Sequence, residues 1–264
     1  MFSRLRQLLQ AAPQPPLAAI PVGQRVYAIG DIHGRADLFS ALMDAIDADD
    51  AARGAAQTAV ILLGDVIDRG PDSAGVIRLA RAWEKKRTVR ILMGNHEEMF
   101  LGALEQEEIM RHFLRFGGRE MLLSYPLDPM AYTRAELAEV AGLARKVIPA
   151  ADIAFIRGFE DWVRIGDYLF VHAGIRPGMA IEDQRQSDLR WIREAFLDHT
   201  ESFGTIVVHG HTIFDSPQVR HNRIGIDTGA YRSGRLTALG LEGTNRWLLT
   251  AVAEDGAVRV QTEE

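Results

Sequence analysis

Ala59-Val60-Ile61-Leu62-Leu63-Gly64-Asp65-Val66-Ile67-Asp68-Arg69-Gly70 decides how the rest of the chain is read. Its five leading apolar residues have the length and side-chain types of a buried strand. The run stops at Gly64, and two carboxylates and an arginine follow within five residues. Asp65 lies at the strand end, where a carboxylate can bind or bridge metal, and Asp68 and Arg69 lie just beyond, on the turn. In open α/β sheets the crevice at the carboxyl ends of the strands is where ligands bind. Taken alone, the same residues fit a polar loop with helix-capping aspartates equally well.

The flanking chain repeats the arrangement. Upstream, Arg25-Val26-Tyr27-Ala28-Ile29 reads as a strand that ends in Gly30-Asp31-Ile32-His33-Gly34, and a helix follows from Asp37 to Ala48 with Leu38, Leu42 and Ile46 on one face. Downstream, Pro71-Asp72-Ser73 opens a helix through about Lys86, and Val89-Arg90-Ile91-Leu92-Met93 is a third strand ending in Gly94-Asn95-His96-Glu97. Strand, glycine, polar cluster, helix: this alternation predicts an α/β sheet with its loops gathered at one edge. Residues 98–158 change to Glu, Leu, Met and Phe at helical spacing, including a helix from Thr133 to Lys146 opened by a Thr133/Glu136 capping box. They form a helical insert that walls the site. Strands resume at Asp161–Ile165 and, after a Gly166-Asp167 turn, at Tyr168–Val171, which ends in His172-Ala173-Gly174. A short helix is expected over Asp188–Leu197, and Thr205–Val208 is a strand ending in His209-Gly210-His211. Strands at 218–220, 223–226, 235–241, 246–252 and 257–261 suggest a second, largely antiparallel sheet packed on the first.

Composition narrows the chemistry. The 264 residues suit one large domain, expected over 25–264 with 98–158 inserted in it, behind an arm at 1–24. In that arm Met1–Gln10 reads as a short amphipathic helix, and prolines at 13, 15, 16 and 21 read as extended chain. The absence of cysteine excludes disulfides, thiolate metal sites and a cysteine nucleophile, so any metal is held by oxygen and imidazole. A net charge of −6 with no Lys/Arg run argues against stable nucleic-acid binding. No apolar stretch reaches the roughly 18 residues that span a bilayer, and no signal peptide is evident, so the expected location is cytoplasmic.

Five strand ends therefore carry polar clusters: Asp31/His33, Asp65/Asp68/Arg69, Asn95/His96, His172 and His209/His211. Five of the eight histidines fall in them, while His112, His199 and His221 read as ordinary surface or loop residues. Asp, His and Asn suit Mn²⁺, Fe or Zn²⁺. Two such cations bridged by one carboxylate can turn a water into hydroxide at neutral pH and clamp the oxygens of a phosphoryl group under in-line attack. His96, with Asp68 as its carboxylate orienter, suits the acid that serves the leaving group. Arg69 and Arg193 suit the remaining phosphoryl oxygens, because a planar guanidinium matches phosphate.

Gly30-Asp31-Ile32-His33-Gly34, Gly64-Asp65-Val66-Ile67-Asp68-Arg69-Gly70, Gly94-Asn95-His96-Glu97, His172-Ala173-Gly174 and Gly210-His211 together resemble the motifs of the calcineurin-like metallophosphoesterases, more narrowly the bacterial and phage branch of the phosphoprotein phosphatases. The resemblance covers about residues 25–260. It implies a four-layer α/β/β/α sandwich of two mixed β-sheets flanked by helices, with a dinuclear metal site at the strand C-terminal ends. It also implies that Asp31 and His33 bind the first metal and Asp65 bridges both. Asn95, His172 and His211 complete the second, and Asn95 also faces substrate. His96 with Asp68 becomes the acid pair and Arg69 a phosphate contact. Within Ser187–Arg193 a second phosphate-binding arginine is expected, Arg193 with Arg190 as competitor. Ile226-Asp227-Thr228-Gly229-Ala230 is similar to the closing strand-turn of that family and reads as structural support. Three departures stand out. Met93 replaces an arginine common before Gly-Asn-His-Glu, no second histidine follows His211 by two, and the eukaryotic regulatory tail has no counterpart. His209, two residues before His211, reads equally as a near-site group or a buried spectator.

The leading expectation is a phosphatase with two divalent cations, most simply Mn²⁺, acting on phosphomonoesters such as phosphoserine and phosphothreonine proteins. The alternative is a pyrophosphohydrolase cleaving diadenosine tetraphosphate or a related nucleotide. The metal core is common to both, so the walls built by 98–160 and 175–190 discriminate them: a pocket with a base-stacking aromatic favours the nucleotide, an open groove the phosphopeptide. A non-catalytic metal-binding scaffold is the third reading, weakened because every expected ligand and His96 are present.

Overall fold

The computed structural model describes residues 17–264. Three parallel strands, β1 (Gln24–Ile29), β2 (Gln57–Leu62) and β3 (Thr88–Ile91), are joined by α1 (Ala36–Ala52) and α2 (Ser73–Glu84). Side-chain parity along these strands makes two cores. Tyr27, Ile29, Val60 and Leu62 face a core roofed by the helices, whereas Val26, Ala28, Ile61 and Leu63 face the opposite way. A strand buried on both faces reads as continuous apolar sequence, which is why 59–63 shows no alternation.

The opposite face packs on a second sheet of β4 (Trp162–Ile165), β5 (Tyr168–Val171), β6 (Ile206–His209), β7 (Gln218–Val219) and β8 (Arg223–Gly225), ordered β4-β5-β6-β8-β7. Tyr168, Phe170 and Val208 enter the core between the sheets, and Leu169, Val171 and Val207 enter a third core under Ile181, Leu189 and Phe196. The layers are therefore α/β/β/α, as expected.

The composition of the sheets departs from the expectation. β9 (Arg235–Glu242), β10 (Asn245–Glu254) and β11 (Ala257–Glu263) extend the first sheet, giving the order β11-β10-β9-β1-β2-β3. β9 pairs antiparallel with the free edge of β1. Leu236 and Ala238 enter the helix-side core and Leu239 and Leu241 the inter-sheet core, so this strand needs cover on both faces. The second sheet is mixed rather than largely antiparallel, with β5-β6 and β6-β8 parallel.

Two expected helices are each broken. The stretch 133–146 divides into Pro129–Arg134 and Leu137–Val147, because Thr133 Oγ1 donates back to Pro129 O at 2.8 Å within the first helix. Glu139, not Thr133, makes the cap, accepting from Glu136 N–H at 2.9 Å. The stretch 188–197 divides into Gln186–Trp191 and Glu194–Leu197 at Arg193, whose φ/ψ of −131/−103° are not helical. The helix expected over Met1–Gln10 and most of the proline arm lie outside the described residues. The end of the arm is packed: Ile20 is buried and its N–H donates to Gly243 O at 2.8 Å, and Asp167 N–H donates to Ala19 O at 3.1 Å.

Ile61 sits between the sheets directly before the site. Ile61→Ala is expected to lower the unfolding free energy by about 2–5 kcal/mol, measured by urea denaturation, with Ile61→Val costing about 0.5–1.5 kcal/mol; equal small losses would place little packing weight on this residue.

Candidate metal centre and active site

Five loops leave the C-terminal ends of β1, β2, β3, β5 and β6 and converge. Their turns are tight enough to force unusual backbone. Of the six non-glycine residues with positive φ among the described residues, five lie here: His33 (45°), Asp65 (47°), Asp68 (71°), Arg69 (65°) and His211 (62°). Each such residue costs about 1–2 kcal/mol and persists only where its surroundings over-determine it. One of those determinants is Glu97, which the sequence reading left without a role. Its buried carboxylate accepts from the N–H groups of Gly94 (3.0 Å), Asp65 (2.9 Å) and Val66 (2.8 Å), tying the second loop to the third. Burial pushes this carboxyl up to about 7, and the Asp65 charge adds to the effect. Gly64, at φ 98°, is where the loops come closest: a Cβ there would lie 2.8 Å from Gly94 N and from His172 Nδ1.

Asp65 is the shared member of two buried clusters, His33–Asp65–His96 and Asp65–His172–His211, in each of which one ligand atom per residue lies within 4.8 Å of the others. Its Oδ2 stands 3.6 Å from His33 Nε2 and 4.0 Å from His96 Nε2, and its Oδ1 stands 3.4 Å from His172 Nε2. Desolvation pushes Asp65 up to about 7.

Hydrogen-bond chemistry assigns the imidazole tautomers. An arginine can only donate. Arg69 Nη1 donates to His33 Nε2 at 2.8 Å and Arg69 Nη2 to His96 Nε2 at 2.7 Å, so both Nε2 atoms carry lone pairs. Each proton then sits on Nδ1, donated by His33 to Ile67 O at 2.9 Å and by His96 to Asp68 Oδ2 at 2.6 Å. Desolvation, then the Arg69 charge, holds His33 well below the usual imidazole range; desolvation, then His33 and Arg69, does the same for His96. His33 Nε2 has one lone pair, which serves either Arg69 or a cation.

The second cluster holds a sharper sign. His172 Nδ1 faces Leu63 O at 2.8 Å and must donate to it. Desolvation lowers this imidazole to about 4, so it is neutral near pH 7 and its Nε2 is bare. That bare Nε2 lies 3.0 Å from Asn95 Oδ1, a lone pair facing a lone pair. His211 Nδ1 lies 2.8 Å from the same oxygen, and His211 Nε2 is buried without a partner. A half-turn of the Asn95 amide would relieve the first contact; a cation would relieve it too and would use the nitrogen of His211 that has no partner among the described residues. The residues present therefore fit a metal on chemical grounds.

Asp31, expected as a ligand of the first metal, lies at the edge of the two clusters. It is buried at the site, yet it belongs to neither close cluster. Both its oxygens accept the His211 N–H, at 3.1 and 3.0 Å. Burial, then Asp227 and Asp65, pushes its carboxyl well above the usual range. Asp227, read from sequence as support, is a buried carboxylate beside it, accepting from Gly229 N–H at 2.8 Å. Of the two arginine candidates, Arg190 is buried and spent on Glu98 (2.8 Å) and Asp161 (2.6 Å), whereas Arg193 is exposed and lines the cavity. His209 is the spectator. It sits edge-on to Phe196 and Phe214, because the left-handed His211 leaves the strand and breaks the expected parity.

The cavity over Asp65 has a volume of about 440 Å³. Besides Arg69, Asn95, His96, Arg193 and His211 it is lined by His112, Phe116, Trp191, Tyr231 and Arg232. His112, expected at the surface or in a loop, packs at a tilt against Phe116 in the insert with ring centroids 4.5 Å apart, a proximity with no local sequence signal. Tyr231 packs against His33 (5.3 Å) and lies 4.9 Å from the Arg69 guanidinium.

A family profile for calcineurin-like phosphoesterases matches residues 24–237. The chain belongs to that family. This calcineurin-like phosphoesterase is 26% identical over 230 residues to an asymmetrical bis(5'-nucleosyl)-tetraphosphatase, PrpE, of Halalkalibacterium halodurans, covering 80% of this chain and 87% of that one. It is 28% identical over 223 residues to serine/threonine-protein phosphatase 1 of Salmonella typhimurium, covering 81% and 90%. Its fold matches the cold-active protein-tyrosine phosphatase of a psychrophilic Shewanella with a TM-score of 0.54 at 19% identity, over 97% of this chain and 87% of the other. Family and relatives make it a phosphoric ester hydrolase that uses divalent metal. No helix among the described residues is long and apolar enough to cross a membrane.

The Asp65 shift gives a signed prediction. Its folded value of about 7 lies above its ordinary 3.8, so between the two the folded chain holds a proton that the unfolded chain has released. Stability from this group is lost as pH rises through that interval, and the cost is complete above about 7. A divalent cation on Asp65 removes the cost. The rise in Tm on adding Mn²⁺ is expected to be larger near pH 8 than near pH 6, by differential scanning fluorimetry; a gain independent of pH would count against Asp65 as a ligand.

Proposed function

We propose that this phosphoesterase hydrolyses nucleoside polyphosphates of the dinucleoside tetraphosphate kind. The observation that carries this reading is the cavity wall: three guanidinium groups, Arg69, Arg193 and Arg232, and a ring of aromatic side chains share one cavity of about 440 Å³. One phosphoryl group needs one or two arginines, whereas a chain of phosphates occupies more. Phe116 and Trp191 are 40% and 38% exposed, which leaves a flat face open to a base. Aromatic stacking on a nucleobase contributes about 1–3 kcal/mol. The sequence reading placed phosphoprotein first; the aromatic wall reverses that order. The phosphoserine/phosphothreonine reading is kept because a relative at 28% identity, against 26% for the tetraphosphatase, is named serine/threonine-protein phosphatase.

In this reading two divalent cations, most simply Mn²⁺ with Fe or Zn²⁺ compatible with the donor set, are held by Asp31, His33, Asp65, Asn95, His172 and His211 and supply Lewis acidity to the phosphoryl group and the attacking water. The chain does the rest. Asp68 holds His96 by its Nδ1–H and aims Nε2 into the cavity, where a protonated Nε2 serves the leaving oxygen. Arg69, now hydrogen-bonded to His33 and His96, turns its donors to phosphate oxygens and frees both nitrogens. Arg193 and Arg232 meet the outer charge.

The test is a rate comparison on diadenosine tetraphosphate, a phosphoserine peptide and p-nitrophenyl phosphate with Mn²⁺, with and without chelator. The expected order has the dinucleotide highest in kcat/KM, with turnover lost on chelation. A peptide preference would restore the phosphoprotein reading, and absence of metal-dependent turnover in a folded sample would remove both. His96→Asn is expected to lower kcat at least about 100-fold while Mn²⁺ still binds by calorimetry; near wild-type turnover would reject His96 as the acid.

A further inference from the structure

The helical insert reaches Arg69 through a single turn of main chain. Leu114–Gly118 links the helices Glu107–Phe113 and Arg119–Ser124 across a kink, where Phe116 (φ/ψ −103/19°) and Gly117 (φ/ψ 109/6°) leave helical geometry. Within it Gly117 takes φ 109°, a conformation that side chains rarely adopt. Its carbonyl accepts the Arg69 N–H at 3.1 Å. A Cβ on Gly117 would lie 2.6 Å from Arg69 N, 2.7 Å from Arg69 Cγ and 2.9 Å from Arg69 Cα. Arg69 has a φ of 65°, itself strained for a residue with a side chain. Two unusual backbone conformations, from segments distant in sequence, are thus pressed against each other.

We propose that the kinked link Leu114–Gly118 is a positioning element for Arg69: Gly117 fixes the main chain of this arginine, so that packing of the insert sets the affinity of the centre for a phosphoryl group. The inference rests on the reading of Arg69 as a phosphate contact. A guanidinium stands at the end of a flexible stem, and its aim depends on where that stem is rooted. Arg69 is rooted on a loop, not a strand, and its N–H is tied to the insert rather than to its own sheet. The far side of the guanidinium rests near Tyr231. Phe116 of the same link lines the cavity, together with His112 of the helix before it, so the insert both roots the arginine and shapes the space above it.

Competitive inhibition by inorganic phosphate of p-nitrophenyl phosphate hydrolysis, with the full Mn²⁺-loaded chain, tests this. Arg69→Ala and Gly117→Ala are each expected to raise the phosphate inhibition constant about tenfold, about 1.4 kcal/mol. In the Arg69→Ala background the Gly117→Ala change is expected to add little, because a residue acting through another loses its effect when that other is removed. An equal rise in both backgrounds overturns the inference and leaves Arg69 as a phosphate contact. An unchanged constant in Arg69→Ala overturns the reading of Arg69 and the inference with it. Should Gly117→Ala not fold, hydrogen exchange of the Arg69 amide in the unaltered chain decides. Slow exchange is expected for an N–H held by Gly117 O, and exchange at the rate of an open loop overturns the proposal.

Discussion

A single buried carboxylate organises the site. Asp65 is 2% exposed and faces three imidazoles, two across one oxygen and one across the other. An anion so placed is expensive without a counter-charge, and the protein answers with donors: the His96 N–H reaches its Oδ1 at 3.0 Å at the start of a helix, where N–H groups are otherwise unpaired. Two lone-pair clusters on either side of one carboxylate are what a pair of divalent cations requires. The same clusters are costly without them, which is how metal binding and stability become linked.

The arrangement persists because it is built into the backbone. Glu97 gathers amides from two loops, Asp65 and Val66 of one and Gly94 of the other, and so holds the left-handed Asp65 in place. The flexible part of the design is Arg69. It satisfies the two imidazoles of one cluster in this structure, and its donors are the ones a phosphoryl group would claim. A mobile cation beside fixed imidazoles suits a site that must accommodate charge arriving and leaving.

Substrate choice belongs to the walls. The chain is similar both to a relative named as a bis(5'-nucleosyl)-tetraphosphatase and to one named as a serine/threonine-protein phosphatase. The His112–Phe116 pair, Trp191 and Arg232 stand around the cavity. These come from the insert, from the helix before Arg193 and from the short turn after Asp227, each remote in sequence from the metal motifs. The sequence motifs therefore lead to the reaction class and stop short of the substrate.

The strand-end clusters at 31–33, 65–69, 95–97, 172 and 211 were legible from the chain because each combines an apolar run, a glycine and metal-suited side chains within a few positions. The parallel βαβ start was legible for the same local reason. Tertiary structure alone decided that β9–β11 complete the first sheet, since pairing partners are non-local and period-2 burial does not name them. It also decided that Arg190 is consumed by Glu98 and Asp161 while Arg193 faces the cavity, because a helix break and two distant carboxylates set that choice. Glu97, Asp227 and Gly117 gained meaning only there, as their partners are backbone amides, a second carboxylate and a strained arginine brought together by the fold. Residue types and spacing specify which chemistry is available; only folding specifies which of those groups meet, since contact between distant segments depends on packing that no local pattern encodes.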